Sequence, residues 1–197
     1  RKVALKARTK AIARHLAEFM AKNGRFAKTI VFCVDQEHAD EMRSELNNLN
    51  SDLAKEYADY VCRVTAEEGQ IGRGHLSRFQ ELETVSPVIL TTSQLLTTGV
   101  DIPTCKNIVI ARVVGAMTEF KQIIGRGTRV RDDYDKYYFN ILDYTGSATR
   151  HFADPEFDGY PAFVTEQEID ENGEVRREEI IQQEQPLDSG DSTLVSY

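Results

Sequence analysis

Apolar residues recur at helical spacing near the start of the chain, and polar residues fill the positions between them. The apolar positions are Leu5, Ile12, Leu16 and Phe19. The pattern stops at Asn23-Gly24, a pair that favours the C-terminal cap of a helix. It therefore predicts an amphipathic helix from about Val3 to Lys22.

A short continuous apolar run follows at residues 29–34. Its length and β-branched content favour a strand that is buried on both faces, as in a parallel sheet. Asp35 stands where it can cap a second helix. The apolar stripe of that helix is expected to comprise Ala39, Met42, Leu46 and Leu49.

The alternation of strand and helix patterns continues along the chain. Further strands are predicted at 60–65, 88–90, 107–111 and 137–143, and further helices at 76–82 and 118–125. Such alternation predicts an α/β fold, a parallel sheet with right-handed crossovers and helices covering both faces. Ligands of such sheets bind at the carboxyl ends of the strands, which draws attention to the loops at 91–103 and 122–129.

The C-terminal part of the chain differs in charge and pattern. Residues 163–181 contain two strand-like runs separated by Glu-Asn-Gly-Glu at 171–174, which indicates a β-hairpin. Residues 148–197 hold 13 acidic and 3 basic side chains, a balance of −10 within a total net charge of −8. We therefore divide the chain into an α/β domain, 1–147, and an acidic extension, 148–197, that carries the hairpin. Much of 166–197 is expected to be a loose edge element or disordered.

The remaining 147 residues carry a net charge of +2. Residues 1–28 contain nine Lys or Arg and a single acid, Glu18. This segment is a candidate footprint for phosphates, although composition alone favours a solvated helix face.

Several classes of protein are disfavoured. No run approaches a membrane span, and the basic start lacks the apolar stretch of a secretory signal, so a cytoplasmic protein is expected. The three cysteines and four histidines lack metal-ligand spacing, which predicts buried reduced thiols and no metal site. The carboxylates Asp154, Glu156 and Asp158 are interpreted as a solvated turn. Because the first residue is Arg and lies in a helical pattern, we expect a piece of a longer protein.

The strongest chemical signal is Gln-Ile-Ile-Gly-Arg-Gly-Thr-Arg at 122–129. Arg126 and Arg129 can converge on one anion, and each guanidinium offers a planar fork that matches phosphate oxygens. Gly125 and Gly127 would let the backbone approach those phosphates closely. Without further signals, paired surface arginines are more often explained by ion pairs or solubility.

Residues 122–129 resemble motif VI of superfamily-2 helicases and translocases. Residues 91–103 resemble motif V, with its Gly-Val-Asp-Ile-Pro ending, and residues 28–33 resemble motif IV. Three motifs in the family's order are a specific signal. The resemblance implies that residues 1–145 form the second RecA-like domain of such a protein.

Four segments are similar in sequence to the motor subunit of type I restriction enzymes: residues 31–39, 97–103, 140–146 and 152–159. That resemblance implies a subunit that pumps double-stranded DNA using ATP and Mg²⁺, both held mainly by a first RecA-like domain. The implied partners are that domain, a nuclease domain of the same subunit, the DNA backbone, and a methylase and specificity core.

The same resemblance implies residue roles. Arg126 and Arg129 would reach the γ-phosphate of ATP, with Arg129 as the arginine finger, and Gln122 would sense that phosphate. The nucleotide-contacting positions would be Gly99, Asp101 and Gly125. The DNA-contacting positions would be Ser93, Gln94 and Thr65, although a Thr that ends a strand is more often structural.

No Gly-Lys-Thr or Gly-Lys-Ser occurs in the chain, and Asp40-Glu41 lies in a predicted helix rather than at a strand end. A P-loop, a Walker B acid and a nuclease centre are therefore not expected here, and this segment alone should not hydrolyse ATP. Two alternatives stay open: a superfamily-2 DNA or RNA helicase outside restriction, and a nucleotide-free α/β interaction module.

Overall fold

Five parallel strands form the central sheet of the protein. The computed structural model describes residues 2–93, 102–125, 138–147 and 163–183. The strands are β1 (Thr29–Phe32), β2 (Val61–Arg63), β3 (Ile89–Thr92), β4 (Asn107–Ile110) and β5 (Asn140–Asp143). Their order across the sheet is β2-β3-β1-β4-β5. The central strand β1 places Val31 opposite Thr91 on one side and Val109 on the other.

Helices connect the strands and cover both faces of the sheet. They are α1 (Lys2–Asn23), α2 (Gln36–Leu49), α3 (Ser51–Glu56), α4 (Gly69–Gln80) and α5 (Met117–Ile124), with a 3₁₀ helix at Ala66–Glu68. The predicted parallel sheet with helices on both faces is confirmed, in a RecA-like arrangement.

Side chains of alternate strand residues pack into two separate hydrophobic cores, one on each face of the sheet. On one face Ile30 and Phe32 pack with α4 and α5 residues such as Phe79 and Phe120. On the other face Val31 packs with α1 and α2 residues such as Leu16, Met42 and Leu46. Because both faces are covered, the four residues of β1 are all buried, which explains its continuous apolar run.

The second helix begins as its sequence predicts. The Asp35 side chain accepts a hydrogen bond from His38 N at 2.8 Å, a typical N-cap contact. Ala39, Met42 and Leu46 are fully buried, but Leu49 is 40% exposed. The buried part of the apolar stripe therefore ends at Leu46, because the helix ends at Leu49 and the chain turns into α3.

Two helical segments differ from the sequence prediction. Helix α4 begins at Gly69 rather than near Leu76, and α3 was not predicted. Glycines at 69, 72 and 74 weaken the helical signal of the first half of α4, and α3 buries only Leu53.

The predicted hairpin is confirmed as strands β6 (Phe163–Ile169) and β7 (Val175–Gln183), which pair antiparallel. Its turn packs directly on α1. Gly173 has φ +80°, and a Cβ atom there would lie 2.4 Å from the carbonyl oxygen of Ala11. The Arg14 guanidinium donates to Asn172 Oδ1 at 3.2 Å. Residues 163–183 therefore form a hairpin whose turn contacts α1. Residues 184–197, the rest of the segment expected to be loose, lie outside the described residues.

Candidate functional site

Parallel strands all end at the same edge of a sheet, and the segments predicted to carry chemistry begin at that edge. Ser93 follows β3, Arg112 follows β4 by two residues, and Thr145 follows β5 by two residues. We call this region the carboxyl edge. The alternation of strands and helices predicts a parallel sheet, and a parallel sheet places all of these strand ends at one edge.

Ser93 lies half-buried directly after β3. Strand β3 is held by the residue after β1 and by α2: Thr92 O accepts from Cys33 N at 2.7 Å, and Thr91 Oγ1 donates to Ala39 O of α2 at 2.8 Å. These contacts fix the point at which the motif V loop leaves the sheet. The predicted residues Gln94, Gly99 and Asp101 lie outside the described residues.

Helix α5 carries the first part of the motif VI sequence. Phe120, Ile123 and Ile124 are buried and anchor it to the sheet, whereas Gln122 is exposed. Gly125 follows the helix in an ordinary helical conformation, with φ −56°. Arg126 and Arg129, for which the finger role is predicted, lie outside the described residues.

The loop from β4 to α5 contains an ion pair that the sequence reasoning missed. The Arg112 guanidinium donates through Nη2 to Glu119 Oε1, and Gly115 N donates to Glu119 Oε2 at 3.3 Å. Val114 N donates to Ser147 Oγ at 3.0 Å, which ties this loop to the end of β5. An arginine just after a buried strand was the available signal, because site residues of such sheets follow strand ends.

Thr65 lies at the same edge, after β2, and caps the 3₁₀ helix. Its hydroxyl and its backbone N–H both contact Glu68 Oε2 at 2.6 Å. Burial raises the pKa of the Glu68 carboxyl, but hydrogen bonds from Thr65 and Arg63 outweigh it, and the net pKa is lowered. A phosphate would have to compete with Glu68 for the Thr65 hydroxyl hydrogen. The DNA contact of Thr65 stays a prediction, and its structural role is clear.

Several basic residues of the first 28 positions lie close to acidic side chains of the protein. Lys6 and Lys10 lie 3.4 and 3.9 Å from Glu41 and Glu45 of α2. Arg25 pairs with Asp52 at 2.6 Å. These contacts favour the solvated helix face over a phosphate footprint.

A cavity of about 680 Å³ lies between α1, β5 and the hairpin. His15 lies in its wall: its Nδ1 is 2.6 Å from Tyr144 Oη, and its Nε2 is 3.0 Å from Gln167 Oε1. The amide oxygen of Gln167 only accepts, so Nε2 carries the hydrogen, and neutral His15 accepts from Tyr144 through Nδ1. Burial lowers the pKa of His15, which favours this neutral form.

The cysteine prediction is confirmed: Cys33, Cys62 and Cys105 are all buried and free. Within the part of the chain that the structure describes, no helix is long and apolar enough to cross a membrane. Among those same residues no cluster of three or more His, Cys, Asp or Glu side chains is arranged to hold a metal. Asp154, Glu156 and Asp158 lie outside the described residues.

Comparison with known proteins tests the resemblance. A model of the helicase conserved C-terminal domain matches residues 9–131. The chain belongs to that family. This helicase C-terminal domain is 45% identical over 157 residues to the type I restriction enzyme EcoAI endonuclease subunit of Escherichia coli. The match covers 80% of this chain and 19% of the relative.

Solved structures agree with this assignment. A fragment assigned as an HsdR subunit of a type I restriction enzyme from Vibrio vulnificus YJ016 is 73% identical, with a TM-score of 0.83. That match covers 88% of this chain and 34% of the other. The E. coli DEAD-box protein SrmB is 18% identical with a TM-score of 0.53, over 77% of this chain and 82% of its own, and it shares the fold. The predicted resemblance to type I restriction subunits and the superfamily-2 fold are confirmed.

Proposed function

We propose that this helicase C-terminal domain is the second motor domain of a type I restriction endonuclease subunit that translocates double-stranded DNA with the energy of ATP. The observation that carries the proposal is the placement of α5. This helix, which precedes the motif VI arginines in the sequence, follows the loop 111–116 that leaves β4 at the carboxyl edge, where Ser93 also lies. The similarity to type I restriction subunits supports the same reading.

In this proposal ATP and Mg²⁺ are held mainly by a first RecA-like domain. Arg126 and Arg129 reach across the interdomain cleft to the γ-phosphate, where a guanidinium stabilises the charge that develops during transfer. Gln122, exposed on α5, contacts the same phosphate. Gly99, Asp101 and Gly125 contact the nucleotide. ATP binding closes the two domains, and hydrolysis releases them.

The proposed DNA contacts come from Ser93, Gln94 and Thr65. Hydroxyl and amide groups at strand ends suit backbone phosphates and read no bases, so binding would be independent of sequence and sensitive to salt. The wider partners would be the nuclease domain of the same subunit and a methylase and specificity core, in the cytoplasm. Because the P-loop is absent from this sequence, the domain alone should not hydrolyse ATP.

The test replaces Arg129 with Ala in the complete subunit and measures DNA-stimulated ATPase. A finger supplied across a cleft predicts a fall in kcat of about 10³-fold or more, with DNA affinity in the absence of ATP unchanged. The control is Arg43→Ala, which removes a half-exposed guanidinium paired with Asp40 on α2. Turnover of the Arg129 variant within a few-fold of the control would contradict the finger role.

A further inference from the structure

The first turn of α5 is held by a side chain that also contacts the loop just after the preceding strand. Ala116, at the N-cap position, has no side-chain acceptor for the free N–H groups of the helix start. Glu119 in that first turn reaches back and accepts from Gly115 N at 3.3 Å. Its second oxygen accepts from Arg112. One carboxylate therefore joins the end of β4, the connecting loop and the helix.

Arg112, the other residue of this ion pair, is held close to the sheet. Arg112 comes two residues after β4, which hydrogen-bonds to strands on both sides in register. Between Arg112 and the helix, Val114 is buried and its N–H donates to Ser147 Oγ. A shift of α5 relative to the sheet would have to break the bond between Arg112 and Glu119.

The pair is poorly explained as a stabiliser of the fold. The side chains of Arg112 and Glu119 are only 18% and 28% exposed, so both charges lose much of their hydration. In the described part of the chain, Arg112 Nε is also buried without a hydrogen-bond partner. An orphan donor of this kind calls for a reason other than stability.

Gln122 lies one turn beyond Glu119 on α5, and residues i and i+3 are neighbours on a helix surface. Fixing Glu119 therefore fixes the rotation with which α5 presents Gln122 and leads into the arginines. We propose that Arg112, acting through Glu119, is a positioning residue that sets the motif VI helix for ATP hydrolysis. The inference rests on the proposed function.

The experiment compares Arg112→Gln and Glu119→Gln with the parent in the complete subunit, by DNA-stimulated ATPase over a range of ATP concentrations. Both variants should lower kcat about 10- to 100-fold, the effect of a small misplacement of a catalytic group, while KM for ATP changes less than about threefold. The exchange of both charges, Arg112→Glu with Glu119→Arg, should recover part of the lost kcat.

The matched control is Arg78→Gln. It removes an arginine bonded to Asp59 at 2.5 Å. Asp59 precedes β2 and Arg78 lies in the last turn of α4, before β3, so this pair lies at the opposite edge of the sheet. This variant should keep its kcat. Glu119→Gln keeps the shape and one acceptor for Gly115 N, so it reports on the charge pair even if Arg112→Gln folds poorly.

A second measurement separates positioning from general weakening of the fold. In the Arg129→Ala background, Arg112→Gln should lower kcat less than about twofold further, because a misplaced finger has no effect once the finger is gone. Unchanged kcat in the single variants, a change confined to KM, full additivity with Arg129→Ala, or loss of folding in both single variants would each overturn the inference. Normal turnover of Arg129→Ala itself would remove the proposed function, and this inference with it.

Discussion

Substitution of Gly173 by Ala tests how the hairpin is docked on α1. Gly173 has φ +80°, a left-handed conformation in which an L-residue is disfavoured by about 1–2 kcal/mol. Space is the larger problem. The added Cβ would lie 2.4 Å from Ala11 O, about 1 Å inside ordinary contact distance, and 3.1 Å from His15 N, a few tenths of an ångström inside it. Both atoms belong to helix backbone and cannot move aside alone.

The hairpin must therefore move away from α1. That movement loses the hydrogen bonds from His15 to Gln167 and from Arg14 to Asn172, at about 1 kcal/mol each. With the conformational strain, we expect a total loss of about 3–4 kcal/mol in the free energy of unfolding. For a chain of this size that corresponds to a fall in Tm of roughly 5–15 °C.

Two other glycines provide controls. Gly69 has φ +52° with no atom within 4 Å of its added Cβ, so Gly69→Ala carries the conformational strain without the clash. Gly74 lies inside α4 with the same free space, so Gly74→Ala should stabilise by about 0.5–1 kcal/mol. The assays are thermal unfolding and hydrogen exchange at the N–H groups of Asn172 and Glu174, which donate to Asp170 Oδ1. If Gly173→Ala has the same Tm as Gly69→Ala, and the N–H groups of its hairpin exchange as slowly as in the parent, the packing argument is refuted.

Three further predictions concern stability. Burial lowers the pKa of His15, so the folded state binds fewer protons than the unfolded state as pH falls below about 6.5. The stabilisation that is present above that pH should therefore be lost on acidification. Urea unfolding should show a larger fall in the free energy of unfolding between pH 7.5 and 5.5 for the parent than for His15→Gln. Burial also lowers the pKa of Lys28 to about 8, and its ammonium donates to Phe79 O at 3.0 Å. Raising pH from 7.5 to 9.5 should therefore stabilise the parent relative to Lys28→Met, and identical pH profiles would contradict this. On α2, Leu46→Ala should cost about 2–5 kcal/mol because Leu46 is fully buried, whereas Leu49→Ala, at a position 40% exposed, should cost less than about 1 kcal/mol in chemical denaturation; equal losses would mean that the helix end packs differently.

The sequence predicts most of the sheet because each strand carries its own signal. The run that contains β1 is short and rich in β-branched and apolar residues, which favours a strand covered on both faces, and the four residues of β1 are all buried. The amphipathic pattern of α5 likewise predicts its buried face, Phe120, Ile123 and Ile124. Local patterns of this kind need no knowledge of distant residues.

The errors come from weak or distant signals. Glycines obscure the start of α4. Gly72 looks unfavourable for a helix, although a Cβ atom there would lie 2.9 Å from Glu68 Cβ, so that only glycine fits without a shift. The pair of Arg112 and Glu119 depends on the path of the loop between them, which no periodicity encodes. The contact of His15 with Gln167 joins positions 152 residues apart. The sequence identifies the carboxyl edge, but side-chain contacts there, such as that of Arg112 with Glu119, are known only from the tertiary structure.

The docking of the hairpin on α1 has a consequence for the order of folding. It joins an early helix to a late hairpin, and closing a loop of that length costs about 4 kcal/mol of chain entropy before any contact is gained. The sheet, once assembled, brings the two partners close and removes most of that cost. The hairpin should therefore dock after the rate-limiting step, so that its contacts slow unfolding and leave the rate of folding nearly unchanged.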